Sequence, residues 1–390
     1  MRAIELFAGI GGFRLGLRGA GIDVLWANDI DPKCCAIYQL HFGPSSIVCD
    51  DVAHVKSTIP PHDILTAGFP CQPFSSAGKK NGVRDNVRGT LFAEIVEVLE
   101  GLRPEFFILE NVKRLLTMED GHHFKTILYA LTSASYVVEW RLLNAQNFGL
   151  AQNRERIFII GQKDPSFLHC DPDTFLRNHA VLLLSGDLRE SLLPFASLAD
   201  LMRPIHSHRH GFATCGFAFG GNVFSFEPPS MPPQRPFRFL RDVLEREVDP
   251  RFDFTDVTNG WVKKNTEVNS FIHGVEVISN QEGGRRMGYT IFGDGGVAPT
   301  LTATPSRHYE RYRINGRYRR LTNVEYARLQ GFPDNWCSAV TVYDQYGLFG
   351  NAVPPPMVEW VAKRLVARVK DKPEGCSNGG HKGATAAARP

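Results

Sequence analysis

The chain reads as an α/β protein interrupted by an insertion, and three observations carry that reading. Residues 1–163 alternate short apolar runs with segments of helical spacing, the rhythm of a parallel sheet with crossover helices. The first apolar run passes straight into Phe7-Ala8-Gly9-Ile10-Gly11-Gly12, a bend whose glycines let backbone approach a ligand at a helix start. From 164 to 297 the rhythm is lost, and it returns only toward the carboxyl end.

The elements follow in order. Apolar runs predict strands over 3–7, 24–27, 64–67, 106–109, 137–142 and 156–160. Between them, Leu91, Ile95, Val98 and Leu102 fall at helical spacing, as do Phe124, Ile127, Leu128 and Leu131. In 164–297 Gly, Pro, Phe and Arg rise, and Pro228-Pro229-Ser230-Met231-Pro232-Pro233 breaks any regular element, so a loop-rich, mostly β domain is expected there. Residues 298–369 return to the first domain, with helices over 323–330 and 357–369; Val358, Val361, Leu365 and Val369 share a face of the second. The Gly/Lys/Ala-rich stretch 370–390 reads as a disordered tail.

Composition narrows the class. At 390 residues, 43% hydrophobic and 22% charged, the chain is an ordinary globular one with room for two domains. It opens Met1-Arg2-Ala3-Ile4-Glu5-Leu6-Phe7 without a leader pattern, and no apolar stretch approaches the ~20 residues of a membrane span. Eight cysteines without a C-x-x-C pair point to a reduced, cytoplasmic protein with neither zinc site nor disulfide scaffold. Cys34, Cys35, Cys49, Cys170, Cys215, Cys337 and Cys376 carry no motif and read as packing. His206, His208 and His210 alternate but lack further ligands nearby, so a recognition loop is expected and no metal. A net charge of +3 is weak evidence for nucleic acid, but its distribution says more: Arg307-His308-Tyr309-Glu310-Arg311-Tyr312-Arg313 and Arg317-Tyr318-Arg319-Arg320 interleave cations with tyrosines.

Two places carry chemistry. Cys71 sits between Pro70 and Gln72-Pro73, directly after the run 64–67, on a stiff loop at a strand's carboxyl end, where open α/β sheets place ligands. Asp29 ends the second strand, where an acid takes ribose hydroxyls, and the aspartate of Asp51-Val52 could hold an adenine amino group. With the glycine bend, which departs from G-x-G-x-x-G spacing, these describe an adenosine pocket rather than a nicotinamide one. Asp31, ahead of Pro32, is a candidate helix cap, as is Asp29.

At this point the chain resembles the DNA cytosine-5 methyltransferases. The residues from Phe7 to Gly12 match the family's cofactor loop, and Gly68-Phe69-Pro70-Cys71-Gln72-Pro73-Phe74-Ser75 its nucleophile loop. Glu110-Asn111-Val112 looks like the glutamate motif, and Gln152-Asn153-Arg154-Glu155-Arg156 the two-arginine motif. Arg320-Leu321-Thr322, with Glu325, Arg328, Leu329, Gln330, Gly331, Phe332 and Pro333, matches the segment supporting the recognition domain. Gly350-Asn351-Ala352-Val353 matches the final motif, whose helix packs beside the first. Asp29 stands where glutamate is commoner, and Ala352 where serine is also seen.

The resemblance implies a Rossmann-like S-adenosylmethionine-dependent methyltransferase domain (1–163 and 298–369) with an inserted target-recognition domain (164–297). Cofactor contacts are implied for Phe7, Gly9, Gly11, Gly12, Asp29, Ile30, Asp51, Val52, Pro70, Leu91, Asn351 and Val353, with S-adenosylhomocysteine as product. C5 of cytosine is a poor nucleophile, so Cys71 would first add to C6. Glu110 would bond N3 and the N4 amino group, Arg156 would answer charge at O2, and Arg154 would help place base and loop. The target base must leave the stack. Gln72, Ser75, Arg307, Arg311 and Arg313 are candidate contacts to double-stranded DNA, with Arg285 and Arg286 beside them. A compact chain of this kind suggests a monomeric prokaryotic methylase, cytoplasmic and nucleoid-associated, guarding DNA against a cognate endonuclease without a stable complex. Two alternatives stand beside it: a transfer-RNA cytosine-5 methyltransferase, whose Cys-Phe-Thr signature is missing here, and a non-catalytic DNA-binding relative, which would typically lose Cys71, Gly9, Gly11 or Glu110.

Overall fold

The computed structural model describes residues 1–70, 90–163, 211–219, 222–228, 231, 233–262, 266–280, 290–302 and 310–370. Cys71, Gln72, Ser75, Arg285, Arg286, Arg307, the three histidines from 206 to 210 and the tail from 371 onward lie outside the described residues.

The alternation of apolar runs and helices builds the first layer. In order come β1 (Arg2–Leu6), α1 (Gly12–Gly19), β2 (Asp23–Asp29), α2 (Pro32–Phe42), β3 (Val48–Cys49), α3 (Val52–Val55), β4 (Ile64–Gly68), α4 (Leu91–Leu102), β5 (Phe106–Val112), α5 (His122–Ser133), β6 (Tyr136–Asn144) and β7 (Glu155–Lys163). β4 and β5 read as unbroken apolar runs because helices cover both faces: β4 is buried from Ile64 to Ala67, and β5 from Phe106 to Asn111. Ile95 and Leu99 of α4 and Phe124 and Leu128 of α5 share one core cluster. Leu17 of α1 and Met357, Val358 and Val361 of the last helix share another.

Among the described residues the main sheet runs β3-β2-β1-β4-β5-β7-β6-β8-β9. It is not the wholly parallel sheet expected, because β7 inserts antiparallel between β5 and β6. The link 145–154 explains this: it is a short return, whereas a parallel crossover needs about a dozen residues or more.

The expected boundaries at 164 and 297 also shift. β8 (Cys215–Phe219) and β9 (Asn222–Phe226), assigned to the insertion, pair onto β6 and extend the main sheet. All five residues of β8 are buried, so the strand covers an edge that β6 would otherwise leave open. A second sheet takes β10 (Thr266–Ile272), β11 (Val275–Asn280), β12 (Thr290–Phe292), β13 (Arg311–Ile314) and β14 (Arg317–Arg319), in that order. β13 and β14 thus belong to the second lobe and not to the returning domain. Tyr312 and Ile314 alternate with Arg311 and Arg313, and their buried side chains join the lobe's core with Val275, Val277 and Phe292.

The chain then closes on itself through α7 (Asn323–Gln330), α8 (Val342–Asn351) and α9 (Pro355–Lys370), α6 being the short helix Asp256–Val262 of the second lobe. α7 keeps its expected bounds, and α9 reaches Lys370, which was expected to begin the tail. α9 lies against α1 so closely that a Cβ on Gly16 would stand 2.5 Å from Val358 Cβ. Among the described residues no helix is long and apolar enough to cross a membrane.

Candidate active site

β1, β4 and β5 run parallel and deliver their carboxyl ends to one edge of the sheet. Register then sets neighbours: Leu6 opposite Ala67, Gly68 opposite Glu110, and Val112 opposite Arg156 on the antiparallel β7. Phe7, Gly68, Glu110 and Arg156 therefore line one cavity of about 560 Å³.

The glycine bend forms one wall. Phe7 turns at φ 54°, left-handed for a residue with a side chain, and Gly9 and Gly11 follow at 55° and 89°. Backbone bonds fix the bend, Ala8 N donating to Asn28 O (2.9 Å) and Gly11 N to Ala8 O (3.0 Å). Gly12 opens α1 against the closing segment, where a Cβ would meet Val353 O at 2.4 Å. Asp29 faces this wall. Its Oδ2 accepts from Gly9 N at 2.7 Å and its Oδ1 from Asp31 N at 2.9 Å, while burial outweighs both bonds and raises its pKa. Asp31 caps α2, accepting from Lys33 N at 2.8 Å ahead of Pro32. Of the two aspartates weighed as caps, only Asp31 caps.

The opposite wall carries the charged pair. Arg156 Nε stands 3.0 Å from Glu110 Oε1, with both side chains about nine-tenths buried. Burial raises the Glu110 pKa more than Arg156, and then Arg154, lower it. Asn111 sends its Nδ2 to Phe69 O (2.8 Å), tying β5 to the segment that leads to Cys71.

Of the residues expected at the site, Phe7, Gly9, Gly12, Asp29, Ile30, Pro70, Leu91, Glu110, Arg156, Asn351 and Val353 line the cavity. Four others do not. Gly11 shapes the bend from behind, packed on Phe42 and Tyr38. Asp51 is the cap of α3, accepting from Ala53 N at 3.0 Å, and Val52 is buried in that helix. Arg154 is fully buried and donates to Leu301 O (3.1 Å), Gly350 O (2.8 Å) and Ala352 O (2.9 Å). It braces the closing segment and does not face the cavity. Ile10, Cys34, Asn111 and Leu348 also line the cavity and were not expected there. Asn111 left a signal, a second polar residue beside Glu110 in an otherwise apolar strand.

A glycine bend after the first strand, an acid after the second, and an antiparallel strand within a mixed sheet define the S-adenosylmethionine-dependent methyltransferase fold. The chain belongs to the C-5 cytosine-specific DNA methylases, whose family model matches residues 1–367. It is similar to the Type II methyltransferase M1.ScrFI of Lactococcus lactis subsp. cremoris, 33% identical over 372 residues, covering 94% of this chain and 78% of that one. It is equally similar to the Type II methyltransferase M.NlaX of Neisseria lactamica, 33% identical over 374 residues, 94% of this chain and 96% of that one. In fold it resembles the crystal structure of the S. pombe Dnmt2 methyltransferase, with a TM-score of 0.57 at 18% identity over 95% of this chain and 98% of that one.

Proposed function

We propose that the chain transfers a methyl group from S-adenosylmethionine to C5 of a flipped-out cytosine in a short duplex sequence, through a covalent bond from Cys71 to C6. The observation that carries this reading is the buried Glu110–Arg156 pair beside Gly68-Phe69-Pro70, the segment that delivers Cys71. A carboxyl whose pKa burial has raised can share a proton with N3 while accepting from the N4 amino group. A guanidinium already fixed beside it meets negative charge at O2 without reorganisation. Addition of the Cys71 thiolate to C6 pushes electrons into C5, which then takes the methyl; loss of the C5 proton expels Cys71. Flipping the base costs a few kcal/mol, offset by these contacts.

The described residues suit the cofactor. Nothing stands within 4 Å of where a Gly9 side chain would lie, so the bend leaves room for a ligand, and Asp29, bonded to Gly9 N through Oδ2, lines the same cavity. Asp29 would hold the ribose and Ile30, 66% exposed, would cover the adenine, while Phe7, Gly12, Leu91, Asn351 and Val353 enclose the rest. When bound, S-adenosylmethionine supplies an electrophilic sulfonium methyl. Arg154 holds the closing segment from behind, and no metal is required. The chain would act as a monomer on double-stranded DNA, in a prokaryotic cytoplasm near the nucleoid, shielding sites from a cognate endonuclease.

The test is transfer of labelled methyl to duplex DNA containing 5-fluorocytosine, comparing the wild type with Cys71→Ser. A stable covalent complex with the wild type alone is expected. Methylation of transfer RNA without DNA trapping would move the activity to RNA, and DNA binding without methylation would make the chain a silent relative.

A further inference from the structure

Trp336 lies outside the cavity but touches the bend that walls it. Its indole Nε1 donates to Ile10 O at 2.8 Å, and the residue is buried, 6% exposed. The ring lies flat on the His41 imidazole, centroids 3.5 Å apart and planes 7° apart, with Phe42 and Phe332 against its other edges. His41 Nε2 in turn lies 2.6 Å from Trp336 O.

We propose that Trp336 is a positioning residue for the cofactor loop, holding the peptide between Ile10 and Gly11 in the orientation the cofactor needs. A peptide is planar, so fixing both its polar ends fixes its plane. The carbonyl is held by Trp336 and the amide, Gly11 N, by Ala8 O at 3.0 Å. That plane leads directly into Gly12, the first residue of α1, where backbone N–H groups have no partners within the helix. Ile10 itself is among the cavity's walls. The stack on His41 leaves the indole little freedom, so the donor is already aimed before any ligand arrives.

The brace also joins distant parts of the chain. Trp336 follows Gly331, which ends α7, and α7 begins at a capping box of Thr322 and Glu325 gripped by Arg319 of the second sheet. The cofactor loop is therefore held by a segment whose other end is anchored in the second lobe.

The inference rests on the proposed use of S-adenosylmethionine, and the test separates the two. Binding of S-adenosylmethionine and S-adenosylhomocysteine to the full chain is measured by calorimetry, with KM and kcat for methyl transfer and DNA affinity without cofactor. Two variants are used: Trp336→Phe, and Trp336 replaced by benzothienylalanine, which keeps the bicyclic shape and lacks only the N–H. A buried carbonyl left without its donor is worth roughly a five- to twentyfold loss. Cofactor Kd and KM should rise by about that factor in both variants. The kcat at saturating cofactor and the DNA affinity should stay within about twofold, the split expected of uniform ground-state binding. An unchanged cofactor Kd in the benzothienylalanine protein overturns the proposal, as does a parallel loss of DNA binding and kcat. Failure of the wild type to bind either ligand would instead overturn the choice of cofactor.

Discussion

Glu5 is the residue whose chemistry least resembles its place. It lies in β1, fully buried, accepting from the Tyr38 hydroxyl, while its Oε1 has no partner among the described residues. Burial raises its pKa from 4.5 to about 7, outweighing the bond from Tyr38 and the charge of Arg14. The folded value lies above the unfolded one, so the contribution is fully present below pH 4.5 and lost as pH rises through about 7. The whole difference is about 3 kcal/mol, of which about 2 kcal/mol falls between roughly pH 5.5 and pH 8. Glu5→Gln should remove that slope. Urea unfolding of both proteins near those two pH values would show their stability gap changing by about 2 kcal/mol; parallel curves would mean that Glu5 is ionised in the fold. The sequence showed a glutamate in an apolar strand, but not that Tyr38 and Arg14 would face it, since those meet it only through packing of α2 and α1.

At the scale of elements, the basic run that ends the second lobe divides. Alternation along β13 puts Arg311 and Arg313 on the half-buried face. On β14 the arginines are paired within the protein: Arg317, still 39% exposed, bonds Asp253 through Nε (2.5 Å) and Nη2 (2.9 Å). Arg319 forks onto Glu325 at 2.7 and 2.8 Å, with 3% and 0% of the two side chains exposed. Breaking so buried a pair costs about 3–5 kcal/mol, because it strands the other charge. Arg319→Ala should therefore unfold at lower denaturant and leave the salt dependence of DNA binding in the surviving fold unchanged. Arg313→Ala should keep its stability and lower the salt slope by about one unit if it meets a phosphate. Binding isotherms at several salt concentrations, beside melting curves, separate the two; an unchanged slope for Arg313→Ala would remove that residue from the interface. Composition alone made all these arginines equivalent. Tertiary pairing distinguishes them, and no local spacing reveals it.

Across the whole molecule, what was legible follows from how local each signal is. The strand-and-helix rhythm of 1–163, the glycine bend and the helix over 323–330 are written in neighbouring residues, and the structure builds them nearly where they were read. The partners of β8, β13 and Arg154 are set by residues far along the chain, so the lobe boundaries and the place of Arg154 were not legible. The last helix is a long-range feature that could still be read, because its apolar face repeats at helical spacing. Its Met357, Val358, Val361, Ala362 and Leu365 are all fully buried against the domain that the first residues begin. At about 1.5–3 kcal/mol for each large apolar side chain, this face contributes on the order of 8 kcal/mol. That rivals the 5–15 kcal/mol by which a typical fold is stable. A chain ending after Ala352 should therefore fail to fold, appearing insoluble or without a cooperative transition, whereas one ending after Lys370 should melt as the full chain does. Calorimetry of the two truncations gives the comparison. A cooperative transition in the shorter chain would mean that the first domain closes without α9, and that the join between the two ends of the fold serves the site and not its stability.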